Sequence, residues 1–103
     1  MESPFPTRLR AARKAAGLTQ QQLGINLGMD PNTASARLNQ YEKGKHAPDY
    51  QTAKRLADEL GVPVAYLYCD DELLSEVILI ASKLNREEKS ELLARLINNQ
   101  ESC

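Results

Sequence analysis

Apolar residues recur every three to four positions along this chain, and glycine, proline and short polar caps cut that rhythm into segments. Thr7 is placed to open a first helix, "RLRAARKAA", with Leu9, Ala12 and Ala16 at helical spacing and Gly17 as its stop. Thr19 and Gln22 have capping-box spacing and open a short helix, "QQQLGINL", which ends at Gly28. Asp30 caps a third with Pro31 at its first position, where a missing N–H costs nothing, and Gly44 ends it. Asp49 opens a fourth, "YQTAKRLADEL", whose face of Ala53, Leu56, Ala57 and Leu60 runs to Gly61. Pro63 starts a short turn of helix, "VAYLY". Two longer segments follow: "ELLSEVILIASKL" after Asp70 and Asp71, then "REEKSELLARLINN" after Asn85, which again has a glutamate three positions on, Glu88. The run "VILIA" has strand composition, but Leu73, Val77, Ile80, Ala81 and Leu84 keep helical spacing and no partner strand exists. The fold class is therefore all-α.

The third segment is unusually polar for a packed helix. Stepping 100° per residue from Ala34, Leu38 and Tyr41 fall on one narrow apolar stripe. Asn32, Ala36, Asn39 and Lys43 lie opposite, flanked by Thr33, Ser35 and Gln40, with Arg37 to one side. With the second segment it forms two short helices separated only by "GMD", a helix-turn-helix over about residues 19–43 with a second helix of about 31–43.

The motifs "GLTQQQLGINLGM", "YEKGKHAP" and "AKRLADELGV" occur in that order, and in this the chain resembles the Cro/phage-repressor (XRE) type of helix-turn-helix regulator over roughly residues 8–68. The resemblance implies a five-helix repressor-like DNA-binding domain in residues 1–68, with helix 31–43 in the major groove of double-stranded DNA. It also implies that Gln20, with its neighbour Gln21, touches the DNA backbone at a helix N-terminus, whose N–H groups suit a phosphate. It further implies a structural salt bridge between Arg13 and Glu42. Gly24 stands where the family usually has alanine, and a small residue there lets the third helix cross closely.

Within this frame Asn32, Thr33, Ser35, Ala36, Arg37, Asn39 and Gln40 are the candidate base readers. Asparagine and glutamine bond adenine, hydroxyls are permissive, methyls meet thymine and Arg37 suits guanine or phosphate. Lys43, Lys45 and His46 around the Gly44 turn are candidate phosphate contacts, whereas Arg8, Arg10 and Lys14 are open between backbone contact and simple solvation. The chain departs from the family in length. Gly28 and Glu42 are fourteen apart rather than about ten, a difference close to one 3.6-residue helical turn, so the buried stripe stays in register. The simplest reading is a recognition helix lengthened at its N-terminal end.

Composition sharpens this picture in three ways. The net charge of −1 hides an asymmetry: residues 8–45 hold seven basic against two acidic side chains, while residues 61–103 hold four against eight. The first part is suited to an anion and the second is not. Two cysteines, Cys69 and Cys103, make no disulfide framework, and no apolar run is long enough for a membrane span, so a cytoplasmic location is expected. His46 is the sole histidine, no paired-carboxylate or phosphate loop stands out, and neither enzyme activity, metal nor cofactor is expected.

Residues 69–103 form a C-terminal helical extension of one or two helices, with more apolar positions than one buried face requires. Leu73, Val77, Ile80, Leu84, Leu92 and Leu96 are read as a homodimerisation surface, which would place two reading helices on half-sites about 34 Å apart. The alternative is that both helices fold back over the core, and the two can coexist. A second functional class uses the same frame to bind protein, as an antitoxin or anti-repressor subunit does.

Overall fold

The computed structural model describes residues 3–101 and contains, among them, seven α-helices and no strand. They are α1 (Phe5–Ala15), α2 (Gln20–Asn26), α3 (Pro31–Glu42), α4 (Tyr50–Leu60), α5 (Val64–Tyr68), α6 (Glu72–Ser82) and α7 (Arg86–Glu101). Cys103 lies outside the described residues.

Local chemistry explains most of the boundaries. The Gln22 N–H donates to Thr19 Oγ1 and the Thr19 N–H donates back to Gln22 Oε1, both at 3.0 Å, so α2 opens with a complete capping box. Asp30 accepts the Asn32 N–H at 2.8 Å, Asp49 the Thr52 N–H at 2.8 Å and Asp71 the Leu74 N–H at 3.0 Å. The Thr52 hydroxyl, and then its backbone N–H, hold the Asp49 carboxyl below its ordinary range. Asn85 and Glu88 exchange the same reciprocal pair at the start of α7. Gly28, Gly44 and Gly61 close α2, α3 and α4 in the left-handed region, with φ of 89°, 74° and 70°. One boundary differs from the sequence reading. Helix α1 begins at Phe5, ahead of Thr7, because prolines are accommodated in a first turn and Ser3 Oγ accepts the Phe5 N–H.

Helices α1 to α5 enclose one core of Phe5, Leu9, Ala12, Leu23, Leu27, Leu38, Tyr41, Ala53, Leu56, Ala57, Tyr66 and Leu67. Polar clamps tie distant segments around it. Arg8 donates through Nε to the Cys69 carbonyl at 3.1 Å and lies 5.9 Å from the Tyr66 ring centre, a structural task joining α1 to the end of α5. Arg55 on α4 donates to the Leu27 carbonyl that closes α2, and Asn26 donates to Glu59 at 2.9 Å.

Helix α6 turns only part of its apolar surface towards the body. Ser75 is buried, and Ile78 and Leu79 pack on the core, while Leu73, Val77 and Ile80 remain exposed. The buried hydroxyl is satisfied by its own helix, since Ser75 Oγ donates to the Glu72 carbonyl at 2.6 Å. Helix α7 has no buried residue. It stands off the body, and the molecule measures 56 × 31 × 22 Å with a radius of gyration of 15.9 Å, where a compact chain of this length has about 13 Å.

Candidate nucleic-acid interface

Helix α3 is gripped from behind at two places. At its first half it crosses α2 at Gly24, where a Cβ would stand 2.6 Å from Ala34 Cβ and 3.1 Å from Ala34 Cα. Only glycine permits that approach, and Ala34 and Leu38 are fully buried against it. At its last turn, Arg13 of α1 donates from Nε to Glu42 Oε2 at 2.6 Å and from Nη2 to Oε1 at 3.0 Å, and its Nη1 donates to the Leu18 carbonyl at 2.9 Å. The two side chains are 12% and 3% exposed. This planar, bidentate, shielded arrangement raises the guanidinium's already high pKa, the Glu42 bond being the main cause.

The opposite face of α3 is open. Asn32, Thr33, Ser35, Ala36, Arg37 and Gln40 are exposed, and Asn39 is half-buried at the edge facing α2. Asp30 and Pro31 begin the helix immediately after the Gly28 turn, so the extra length lies in α3 itself and not in the loop. Lys43, Lys45 and His46 are exposed around Gly44, just beyond the last turn.

Gln20 and Gln21, the candidate phosphate contacts of α2, also reach across to α3. Gln20 donates from Nε2 to Glu42 Oε1 at 3.2 Å and to Asn39 Oδ1 at 3.3 Å, and Gln21 donates from Nε2 to the Pro31 carbonyl at 3.2 Å. Both side-chain amides are engaged on α3. The backbone N–H groups of these residues occupy the first two positions of α2, where a helix has no internal partner for them. No spacing rule announces the Gln20–Asn39 bond, which joins residues nineteen apart. The only hint is an amide in the first turn of α2 and another late in α3.

In the C-terminal extension, Leu84 and Leu92 are half-buried and line, with Val77, Ile80, Ala81 and Glu76, an open apolar groove of about 350 Å³ between α6 and α7. Leu73, Ile80 and Leu93 are 76%, 59% and 60% exposed, and Leu96 and Ile97 continue the surface. Among the described residues no group of three or more potential metal ligands comes together, and no helix is long and apolar enough to cross a membrane.

The comparisons agree with this geometry. The helix-turn-helix family model matches residues 9–67, more than half of the chain. The chain is 33% identical over 93 residues to the cryptic phage CTXphi transcriptional repressor RstR of Vibrio cholerae, covering 85% of this chain and 80% of that protein. It is similar to the crystal structure of the transcriptional regulator BswR, with a TM-score of 0.85, 50% identity, and coverage of 92% of this chain and 93% of that one. The chain belongs to the helix-turn-helix family, as a DNA-binding transcriptional regulator of the Cro/phage-repressor (XRE) type.

Proposed function

We propose that this regulator works in the cytoplasm as a homodimer, reads the major groove with α3 and represses transcription at the sites it occupies. The observation that carries the reading is the contrast between the two sides of α3. One side is locked by the Gly24–Ala34 contact and the Arg13–Glu42 pair, and the other presents an exposed run of amide, hydroxyl, methyl and guanidinium groups. A rigid helix with hydrogen-bonding side chains on its free face is what base readout requires. Lys43, Lys45 and His46, with the first-turn N–H groups of α2 and the Gln21 Nε2 hydrogen not given to the Pro31 carbonyl, would hold phosphates on either side. The repressor role is carried from the similarity to RstR.

Residues 1–68 carry the DNA surface in this reading, and residues 69–103 the pairing element. The described residues leave the apolar face of α6 and α7 exposed, and a second copy would bury it while supplying the second reading helix. No catalytic step, metal or cofactor enters.

Selection of operator DNA from a random pool tests the whole. The expected product is a two-fold-related pair of short half-sites, bound with a steep salt dependence. A protein that enriches no sequence and shows no salt-dependent binding would overturn the reading. Copurification of a stoichiometric protein that covers α3 would instead favour a protein-binding antitoxin or anti-repressor.

A further inference from the structure

We propose that α1 is a further DNA-contacting element, in which Arg10 and Lys14 hold backbone phosphates next to those held by the loop after α3. The proposal rests on the reading of α3 and residues 43–46 as the DNA surface.

Helical geometry puts the two cations on the side of α1 that borders that loop, and two contacts fix which side this is. Arg13 reaches the Glu42 carboxylate at the last turn of α3. Pro6 packs on the loop: a Cβ placed on Gly44 would meet Pro6 Cγ at 3.4 Å. Pro6 and Thr7 also line one cleft with Lys43, Gly44 and His46. At about 100° per residue, Pro6 lies about 20° from Arg13, Arg10 about 60° and Lys14 about 100°, all turning the same way. The buried Leu9 and Ala12 lie on the other side of Arg13. Arg10 is three residues from Arg13 and four from Pro6, the spacing at which side chains are neighbours on a helix surface. It therefore stands between the two contact points, and Lys14, four residues on, continues the row. Arg8 falls about 140° away on the far flank. Its bond to the Cys69 carbonyl and its place beside the Tyr66 ring agree with that position.

The row carries positive charge that no acid on it answers. Helix α1 has no acidic residue. Arg10, Lys14, Lys43 and Lys45 are exposed. The ion pairs among the described residues are Arg13–Glu42 and Lys54–Asp58, so none of these four cations is in one. Glu42, the acid at the join of α1 and α3, is shielded and spent on Arg13. Cations in a row repel one another in the free protein, and a line of phosphates relieves that repulsion. Because the row is continuous with the loop, duplex DNA seated on the loop brings its backbone to α1. The contact carries no base information and raises affinity for every sequence alike.

The test maps the phosphates directly. Operator DNA obtained by selection is ethylated at random on its phosphates, and the positions that block binding are read for the full-length protein. The same is done for Arg10→Ala, for Lys14→Ala and for Lys54→Ala, which removes a cation on α4 outside the row. Alanine is the better helix former, so each variant is expected to keep its helical content, which is checked. Arg10→Ala and Lys14→Ala are each expected to lose a blocking phosphate in every half-site and to keep the base preference. Each should also lower the slope of log affinity against log salt by about 1 for each copy bound. Lys54→Ala is expected to lose no blocking phosphate. Either row variant with the full wild-type set of blocking phosphates overturns the proposal, even where affinity falls, because loss of a merely solvated charge frees no phosphate. So does a changed base preference, or loss of the same phosphates in Lys54→Ala. If the wild type selects no sequence and binds without salt dependence, the reading of α3 itself fails. If Lys43→Ala frees a phosphate and neither row variant does, only the present proposal fails.

Discussion

Gly24 and Ala34 meet across the α2–α3 crossing with no room for one further carbon atom, since a Cβ on Gly24 would lie 2.6 Å from the Cβ of Ala34. Neither atom can rotate away, because each is fixed to its backbone. Gly24→Ala gains about 1 kcal/mol of helix propensity but forces the two helices apart, at a cost of about 1–3 kcal/mol. A lower melting temperature is expected, with the shift about 4–8 °C for each net kcal/mol lost. The double variant with Ala34→Gly relieves the clash and should melt above Gly24→Ala alone. Equal melting of the two variants would show that the crossing is not tight.

The shielded Arg13–Glu42 pair gives a different signature. Arg13→Met leaves the Glu42 carboxylate without its bidentate partner and is expected to cost about 3 kcal/mol in denaturant unfolding. Adding Glu42→Leu removes the stranded charge and should recover a large part of that loss. A double variant no more stable than Arg13→Met would mean that Glu42 is well served by water and Gln20 alone.

How much of this was legible in the chain divides along one physical line. Caps at Thr19, Asp30, Asp49, Asp71 and Asn85, and the stripe of Ala34, Leu38 and Tyr41, are local patterns that three or four neighbouring residues decide. Gln20 to Asn39 and Arg55 to Leu27 join segments that only the folded core brings together, and no local period announces them. Pro4 and Pro6 look like breakers, although a first helical turn accepts them. Helix α6 is apolar on nearly every side, so spacing alone could not choose its inner face, and the small polar Ser75 is the residue that sits fully inward.

Base and phosphate contacts separate by their dependence on sequence and salt. Gln40→Ala is expected to weaken operator binding by about 1–3 kcal/mol and relax preference at one position, with non-specific binding kept. Lys43→Ala should weaken all sequences alike and reduce the slope of log affinity against log salt by about 1. Gel shifts over a range of salt concentrations measure both. A Gln40→Ala protein with unchanged sequence preference would remove that residue from the reading face.

Pairing through the C-terminal helices is tested by Ile80→Glu. Ile80 is exposed in the single chain, so the charge leaves the core untouched while opposing burial against a second copy. Sedimentation is expected to show a monomer with native helical content and much weaker operator binding. A dimer that survives both Ile80→Glu and Leu73→Glu would place the contact elsewhere.

Asp49 gives the expected pH dependence. Its carboxyl is held below the ordinary value of 3.8 by the bonds from Thr52. Its share of stability is complete above that unfolded-chain value and is lost as pH falls through the lower folded one. Asp49→Asn keeps a capping acceptor but cannot titrate, so its acid unfolding curve should be flatter than that of the wild type between these two values. Superimposable curves would contradict a role for this cap in acid stability.

Helix α6 has one face packed into the body through Ser75, Ile78 and Leu79, and its other face exposed at Leu73, Val77 and Ile80. If two copies meet on that exposed face, no flexible joint intervenes between the meeting surface and the α1–α5 body. The distance and the rotation between the two reading helices are then set as if by a single casting. A spacer longer by one base pair would displace one half-site by about 3.4 Å and turn it by roughly a tenth of a revolution. A dimer of this build has no slack to follow it, so spacer length becomes as strict a part of the recognised message as the bases themselves.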